Sequence, residues 1–216
     1  PDQPDPPFVS VGTIERRKNH GLLLRCWSLL IDRLGAAVPQ LVLAGSPGLG
    51  AADLEAEFRR DPRLRAHVTL TGGIDDGALA HLIAGARAVL LPTLAEGFGL
   101  PLVEAFALGR PVLASDLPAF REVGQGVPTL LDPRDAGAWA AAVIDIISDG
   151  PEHKRQQAAL PGFHVPSWPD HFAIVEPWLA HLADEPATWP DSPAVAQAGP
   201  ATDSSRADAI VADQAG

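Results

Sequence analysis

The sequence predicts an α/β protein in which a parallel β-sheet is covered by helices on both faces. Short apolar segments alternate with segments of helical spacing along most of the chain, which is the pattern of repeated strand–helix units. The first three apolar segments, FVSVG, PQLVLAG and RAHVTLTGG, each end in glycine, a residue suited to the turn from a strand into a helix. The fourth, RAVLLPT, is apolar throughout, as expected of a strand buried on both faces.

The predicted elements follow one another in a regular order. Strands are predicted at residues 8–12, 39–45, 65–73, 87–93, 110–116 and 127–133. Helices are predicted at residues 21–37, 51–61, 75–86, from Pro101 onward, 118–124 and 135–150. Asn19 is predicted to cap the first helix and Asp75 or Asp76 the third, because short polar side chains accept hydrogen bonds from free helical N–H groups. These elements predict a single Rossmann-like domain.

The alternation weakens after residue 150, which predicts a change of organisation. We expect residues 1–7 to be a linker, 8–150 to be the Rossmann-like domain, 151–184 to be a closing helical segment and 185–216 to be a disordered tail. Within the closing segment, helices are predicted at 152–160 and 165–184, the second broken by Pro177. The tail is rich in Pro, Ala, Asp and Ser and has few large apolar residues, a composition typical of disorder.

Composition excludes several classes of function. The chain has 216 residues and a formal net charge of −11, which argues against a nucleic-acid-binding surface. Its single cysteine, Cys26, lies in an apolar helical stretch and is expected to be buried, which suits a reducing, cytoplasmic setting. The chain contains no methionine and begins at Pro1, so we expect it to be a piece of a longer protein.

Two loops at the carboxyl ends of predicted strands are candidates for a ligand site, since ligands bind there in open parallel sheets. The loop after the first strand carries Arg16, Arg17 and Lys18, cations that could neutralise a phosphate or could simply be solvated. The loop after the second strand reads GSPGLG, residues 45–50. Its glycine spacing differs from that of dinucleotide sites, so we interpret it as a flexible loop lining a cleft.

A third loop, EGFGLPLVEA at residues 96–105, carries the most specific pattern. Gly97 and Gly99 allow the backbone to approach an anion, and the helix beginning near Pro101 points free N–H groups at it. Carboxylates such as Glu96 and Glu104 would repel a phosphate but accept hydrogen bonds from sugar hydroxyls. The pattern therefore suits a phosphate with a sugar on each side, as in a nucleotide-sugar.

EGFGLPLVEA also resembles the E-x7-E motif of the retaining GT-B glycosyltransferases of family GT4. VGTIERRKNHGLLL, VTLTGGIDDGALAHLIAGARAVLLPTLAEGFGLP and GRPVLASDLPAFREVG are similar to further segments of that family, in the same order. The resemblance covers about residues 8–182. It implies the C-terminal, donor-binding half of a GT-B fold, with the N-terminal acceptor domain missing from this chain.

The resemblance also implies roles for individual residues. Glu96 would contact the donor sugar, and Arg17 with Lys18 would neutralise the diphosphate, so these three form the predicted catalytic set. The predicted donor-binding residues surround them. Glu104 would bind the ribose, and the others are Gly12, Gly73, Ile74, Gly97, Phe98, Gly99 and Leu100. Many relatives carry Arg directly after the glycine of the first strand, whereas this chain has Thr13, for which Arg16 or Arg17 would have to compensate.

The function expected from the resemblance is transfer of a sugar, with retention, from a nucleotide-diphosphate-sugar such as GDP-mannose. The acceptor is unknown, and a glycan or a lipid-linked glycan would fit. We expect no cofactor and no metal, because His164 and His171 have a spacing that fits no standard metal site. We expect a cytoplasmic protein, peripheral at the inner membrane face through the missing domain, and weak or no transfer by this part alone.

Two alternatives to this function stay open. The domain could be a non-catalytic nucleotide-binding or interaction module, against which Glu96, Glu104 and Lys18 argue. It could also be another GT-B enzyme, such as a nucleotide-sugar epimerase or a phosphorylase. A phosphorylase would need a lysine for pyridoxal phosphate, and the chain has only Lys18 and Lys154.

Overall fold

The computed structural model describes residues 5–184, and their central element is a six-stranded parallel sheet. The strands are β1 (Phe8–Val11), β2 (Leu41–Ala44), β3 (Val68–Gly72), β4 (Ala88–Leu91), β5 (Val112–Ser115) and β6 (Thr129–Leu131). Their order in the sheet is β3-β2-β1-β4-β5-β6, and every neighbouring pair is parallel. All six predicted strands are confirmed, each inside its predicted range.

Eight α-helices accompany the sheet in the described part of the chain. They are α1 (His20–Leu34), α2 (Ala51–Arg60), α3 (Asp76–Ala84), α4 (Leu100–Ala107), α5 (Pro118–Val123), α6 (Ala136–Ile147), α7 (Pro151–Ala159) and α8 (Trp168–Asp184). The described chain also has four 3-10 turns, one before α1 at Arg16–Lys18 and three between helices at Gly35–Ala37, Pro62–Ala66 and Leu160–Gly162. The predicted end of α1 at residue 37 is wrong, because the backbone at Gly35 takes a φ of 56° and the α-helix ends at Leu34.

Alternate residues along the strands pack on opposite sides of the sheet, as the pleat requires. On one side Phe8, Leu41 and Leu43 pack against α1, α2 and α6. On the other side Val9 and Val89 pack against α3, α4 and α5. Helices therefore cover both faces, and the predicted α/β, Rossmann-like fold class is confirmed.

Cys26 lies in the first of these cores and is completely buried, as predicted. Burial raises the pKa of its thiol to about 12. The thiol therefore behaves as a small apolar group rather than as a nucleophile.

The strand order reverses between β1 and β4, which are neighbours in the middle of the sheet. The chain moves outward through β2 and β3 on one side of this point, and through β5 and β6 on the other. The loops that follow β1 and β4 therefore leave the sheet in opposite directions and open a crevice between them. This is the place where a parallel α/β sheet binds its ligands, and it is formed here by the first and third candidate loops.

α7 is fastened to the β5–β6 side of the sheet through a buried side chain. Gln156 is fully buried, its Oε1 accepts a hydrogen bond from Val112 N at 2.9 Å, and its Nε2 donates to Thr129 Oγ1 at 2.6 Å. Nearby, Arg155 donates to the carbonyls of Gly126 and Val127, both at 2.9 Å. α7 therefore supplies hydrogen bonds that the edge of the sheet cannot make for itself.

The chain divides into two compact units, Pro1–Pro166 and Ser167–Gly216. The predicted boundary after residue 150 stays a prediction, and the predicted tail at 185–216 lies outside the described residues.

In the second unit α8 runs through Pro177 without the predicted break, because proline removes one backbone donor while the turns on either side remain helical. Within that helix, Trp168 stacks on Phe172 with ring centroids 6.0 Å apart. No helix in the described range is long and apolar enough to cross a membrane.

His20, the first residue of α1, is a buried histidine with no hydrogen bond to either ring nitrogen from any described residue. Burial, and to a smaller extent the charge of Lys18, lowers the pKa of His20 to about 4. The ring is therefore neutral at pH 7 and packs as part of the interior.

We predict that Gln156→Leu destabilises the fold by about 2 kcal/mol, because it leaves the buried N–H of Val112 without a partner. The measurement is urea unfolding followed by tryptophan fluorescence. Gln157→Leu is the matched control, since Gln157 is the next residue of α7 and is exposed. Equal effects of the two substitutions would show that the bonds made by Gln156 contribute nothing.

We predict that stability falls as the pH drops from 6.5 to 4, because an unfolded chain protonates His20 with the ordinary pKa of 6.5 while the folded protein resists protonation to about 4. The loss reaches about 3 kcal/mol at the lower pH. Urea unfolding at several pH values measures it. His20→Leu should flatten this part of the profile, whereas His81→Leu, which replaces an exposed histidine, should leave it in place. An unchanged profile in His20→Leu would contradict the assignment.

Candidate functional site

The crevice between the loops after β1 and β4 is spanned by an ion pair. Lys18 Nζ lies 2.7 Å from Glu96 Oε2, and both side chains are only about 15% exposed, at 14% and 15%. Lys18 ends the 3-10 turn after β1, and Glu96 lies in the loop after β4. A predicted cation and a predicted carboxylate, 78 positions apart in the sequence, are thus brought into direct contact.

Arg17 lies beside this pair. Its Nη1 donates to Ala95 O at 2.8 Å and lies 3.7 Å from Glu96 Oε2, while its Nη2 donates to Glu15 Oε1 at 2.8 Å. Arg16 points elsewhere and pairs with Asp53 at 2.7 Å on the exposed surface. Of the two arginines that could stand in for an arginine at position 13, only Arg17 is at the crevice.

The loop after β2 supports the cationic loop from its other side. Backbone bonds join Ile14 N to Ser46 O at 2.9 Å, Gly48 N to Ile14 O at 3.0 Å and Arg16 N to Leu49 O at 3.2 Å. A Cβ at Gly45 would lie only 2.0 Å from the carbonyl oxygen of Gly12, so this approach requires glycine. Residues 45–50 are thus hydrogen-bonded along the neighbouring loop, and Gly45 and Pro47 line a cavity, as expected of a loop lining a cleft. The predicted flexibility of this loop stays a prediction.

The N-terminus of α4 forms the third wall of the site. Gly99 precedes the helix with a φ of 96°, and a Cβ there would lie 2.7 Å from the ring of Phe120, so both conformation and space demand glycine. A cavity of about 10 Å³ is lined by Lys18, Glu96 and Pro101 of α4, together with Phe120, which places the ion pair next to the start of that helix. Within α4, Pro101 has no N–H, and Leu102 and Val103 donate theirs to Gly99 O at 2.9 and 3.4 Å. The backbone N–H groups that a ligand could use next to the pair are therefore those that precede Pro101.

Around the Lys18–Glu96 pair lie four further residues of the predicted site, Gly12, Gly97, Phe98 and Leu100. Gly97 faces open space and donates its N–H to Glu96 Oε1 at 3.3 Å, while Phe98 and Leu100 are 47% and 60% exposed. Gly12 takes a φ of 132°, and a Cβ there would lie 3.2 Å from Lys18 Cε, so the glycine leaves room for the lysine stem.

Glu104 lies further along α4, in a groove between α3 and α4. The groove has a volume of about 320 Å³. It is lined by Glu104 of α4, by Leu108 directly after that helix, and by Asp76, Leu79, Ala80 and Ile83 of α3. Gly73 and Ile74 immediately precede α3, and Ile74 is 36% exposed. The structure thus places Glu104 apart from the Lys18–Glu96 pair, in a groove whose other side is the helix that follows Gly73 and Ile74.

Two side chains, those of Asn19 and Thr93, make contacts between these loops that the sequence did not predict. Asn19 occupies the predicted N-cap position of α1, with a φ of 55°, but its side chain makes no capping hydrogen bond, so the position is confirmed and the predicted hydrogen bond is wrong. Its Nδ2 instead donates to the carbonyls of Pro92 and Pro133, both at 2.9 Å. Thr93 Oγ1 lies 3.0 Å from Arg17 O and 2.8 Å from Ala95 O. An asparagine before a helix looks like a cap in the sequence, and nothing there distinguishes the two roles.

The residues described offer no group of three or more His, Cys, Asp or Glu side chains that could hold a metal ion. The cations of this site are those of Lys18 and Arg17. Chemically, the arrangement offers positive charge and free backbone N–H groups next to a carboxylate. It can therefore hold an anion and accept hydrogen bonds from hydroxyl groups beside that anion.

Comparison with known proteins gives the same answer at the level of the family. Residues 5–149 match the family described as "Glycosyl transferases group 1". The chain is 37% identical over 120 residues to the serotype-specific mannosyltransferase WbdA of Escherichia coli, and the match covers 56% of this chain and 14% of that protein. It is 34% identical over 154 residues to the phosphatidyl-myo-inositol mannosyltransferase of Mycobacterium tuberculosis, covering 67% of this chain and 38% of that protein.

Two solved structures also superpose on this chain. The sucrose-phosphate synthase of Thermosynechococcus elongatus superposes with a TM-score of 0.65 at 26% identity, covering 83% of this chain and 45% of that one. TarM superposes with a TM-score of 0.61 at 16% identity, which bears on the fold alone. The chain therefore spans less than half the length of these relatives. The predicted GT-B fold class and the predicted membership are both confirmed: the chain belongs to the group 1 glycosyl transferases.

Proposed function

We propose that this chain binds the donor of a glycosyltransferase that transfers a sugar from a nucleotide-diphosphate-sugar. The observation that carries the proposal is the contact of Lys18 with Glu96, with Arg17 beside it, at the reversal of strand order and next to the N-terminus of α4. A diphosphate requires the cations and the free N–H groups, and a sugar requires the carboxylate. In an anion site without a sugar, Glu96 would lose Lys18 to the anion and gain no new partner.

The residues take the following roles in this proposal. Lys18 and Arg17 neutralise the diphosphate, which also receives hydrogen bonds from the backbone of residues 97–100. Glu96 accepts hydrogen bonds from the sugar hydroxyls. Glu104 accepts them from the ribose in the α3–α4 groove, near the base-binding residues Gly73 and Ile74. Gly12 leaves room for the Lys18 stem.

The chemical contribution of these residues is to stabilise the leaving group. Breaking the bond between the sugar and the diphosphate builds negative charge on the leaving oxygen. Fixed cations and helix N–H groups stabilise that charge without reorganising. We therefore propose a reaction that needs no cofactor and no metal, and we propose retention of configuration on the resemblance to the family.

Mannose is the sugar that we favour, and GDP-mannose the donor. The support comes from the relatives, several of which are named mannosyltransferases, including the O-antigen chain mannosyltransferase B of Escherichia coli. Because those names refer to O-antigen chains and to phosphatidyl-myo-inositol, we propose a glycan or lipid-linked glycan as the acceptor. We place the reaction in the cytoplasm, at the inner membrane face.

We predict that this chain binds GDP with micromolar affinity in a calorimetric titration, and binds UDP and ADP more weakly. Lys18→Gln should weaken binding of GDP by about tenfold or more, because it removes a charge-assisted contact to phosphate. Glu104→Gln should also weaken it, through the ribose.

The matched control is Lys154→Gln, which removes the other lysine of the chain, an exposed residue of α7. It should bind GDP like the unmodified protein. The proposed function would be contradicted if none of the three diphosphates bound at millimolar concentration, or if Lys18→Gln and Lys154→Gln behaved alike.

A further inference from the structure

We infer that Asn19 is a positioning residue that, together with Thr93, holds Lys18 opposite Glu96. This inference deepens the proposed function and rests on it only for the ligand, since the contact between Lys18 and Glu96 exists in the protein alone. Asn19 directly follows Lys18, and Thr93 lies three residues before Glu96. Asn19 is therefore adjacent to one member of the pair, and Thr93 lies on the same loop as the other.

The amide of Asn19 joins three loops. Its Nδ2 donates one hydrogen bond to Pro92 O, at the end of β4, and one to Pro133 O, in the loop after β6, each at 2.9 Å. Asn19 itself belongs to the loop after β1. A side-chain amide has two N–H donors, and both are used here on carbonyls from different parts of the chain.

The backbone of Asn19 explains why asparagine, of all residues, suits this position. Its φ of 55° lies in the left-handed region, which glycine, asparagine and aspartate tolerate best. Glycine would keep the conformation but offer no amide. Aspartate would keep the size but direct a carboxylate at two carbonyl oxygens. Asparagine is therefore the residue that meets both the backbone and the hydrogen-bond requirement.

Thr93 makes a second contact between the same loops, and we call Asn19 and Thr93 together the clamp. Thr93 is buried, with 2% exposure, and its one hydroxyl hydrogen is shared between Arg17 O, 3.0 Å from Oγ1, and Ala95 O, 2.8 Å from Oγ1. Leu94 N donates to the same carbonyl at 2.8 Å. The turn carrying Arg17 and Lys18 is thus fastened to the loop after β4 immediately before Lys18 by Thr93 and immediately after it by Asn19.

The clamp holds the amine of Lys18 at the position where it would neutralise the diphosphate of the proposed donor. Lysine has a long, flexible side chain, and its position depends on where its backbone is held. Because Glu96 lies on the same loop as Pro92 and Thr93, fastening the two loops sets the distance from Lys18 to Glu96. Asn19 acts on the ligand through Lys18 and does not touch it.

The test uses the two lysines of the chain, Lys18 and Lys154, as probe and internal reference. Limited acetylation with acetic anhydride, read by peptide mass spectrometry, reports the accessibility of each amine. In the unmodified protein Lys18, at 14% exposure and paired with Glu96, should react more slowly than Lys154. In Asn19→Gly the rate at Lys18 should rise several-fold, while the rate at Lys154 stays unchanged.

The control substitution is Gln125→Gly. Gln125 also has a left-handed φ, of 51°, and its side chain also makes two bonds to backbone, with His164 O at 2.8 Å and His164 N at 3.1 Å. It should lose stability without changing the rate at Lys18. If both glycine variants, or neither, changed that rate, the positioning role of Asn19 would be overturned.

Two substitutions of Thr93 test the clamp independently if Asn19→Gly does not fold. Thr93→Val removes the hydroxyl at constant shape and should also raise the rate at Lys18, and Thr93→Ser should restore the slow rate. An unchanged rate in a folded Thr93→Val protein would overturn the clamp. In calorimetry, GDP should bind Asn19→Gly about tenfold more weakly, the effect of losing about 1.4 kcal/mol.

The two proposals fail in distinguishable ways. If GDP does not bind the unmodified protein but Asn19→Gly still changes the acetylation of Lys18, the proposed function is wrong and the clamp stands. If GDP binds the unmodified protein but the acetylation of Lys18 and the affinity for GDP are both unchanged in Asn19→Gly, the clamp is wrong and the proposed function stands.

Discussion

The reversal of strand order between β1 and β4 is the constraint on which the rest of the structure depends. Parallel strands require helical crossovers, and a sheet that grows outward in both directions from its centre must part its loops where the order reverses. Lys18 and Glu96 come from the two parted loops and meet across the opening. The site is therefore a consequence of topology, and the side chains need only be of the right type at the ends of two strands.

In the protein without a ligand, Lys18 and Glu96 each stabilise the charge of the other. Two charges that are each about 85% covered lose much of their hydration, and each would be costly without the other. Pairing offsets this cost, and in the proposed function the ligand would offer Lys18 a phosphate and Glu96 a hydroxyl group in place of each other. The glycines around the pair keep room for that exchange, and the loop at residues 45–50 supports the cationic turn from outside. The ion pair itself joins the two loops in the protein without a ligand.

Local patterns in the sequence were enough to predict the six strands and the alternation of strands with helices. Lys18 and Glu96 were assigned to the site through the family resemblance, and their contact was not predicted. The run from Ala88 to Leu91 is apolar because both of its faces are covered, and Gly99 is needed for its positive φ. Interactions between distant segments could not be predicted in this way. The amide of Asn19 reaches Pro92 and Pro133, and Gln156 reaches the backbone of β5. Each is an ordinary polar residue on a loop or helix, and only the folded chain shows which carbonyl or N–H needs it.

The measurement that tests the central claim most directly is the NMR spectrum of the lysine side-chain amines, recorded with and without GDP. The chain has two lysines, so the spectrum contains two Nζ signals, and Lys154 on α7 serves as the reference. The account predicts that GDP shifts the signal of Lys18, as its partner changes from the carboxylate of Glu96 to a phosphate, and leaves that of Lys154 in place. Binding of GDP with no change at Lys18 would show that the diphosphate lies elsewhere and would contradict the account.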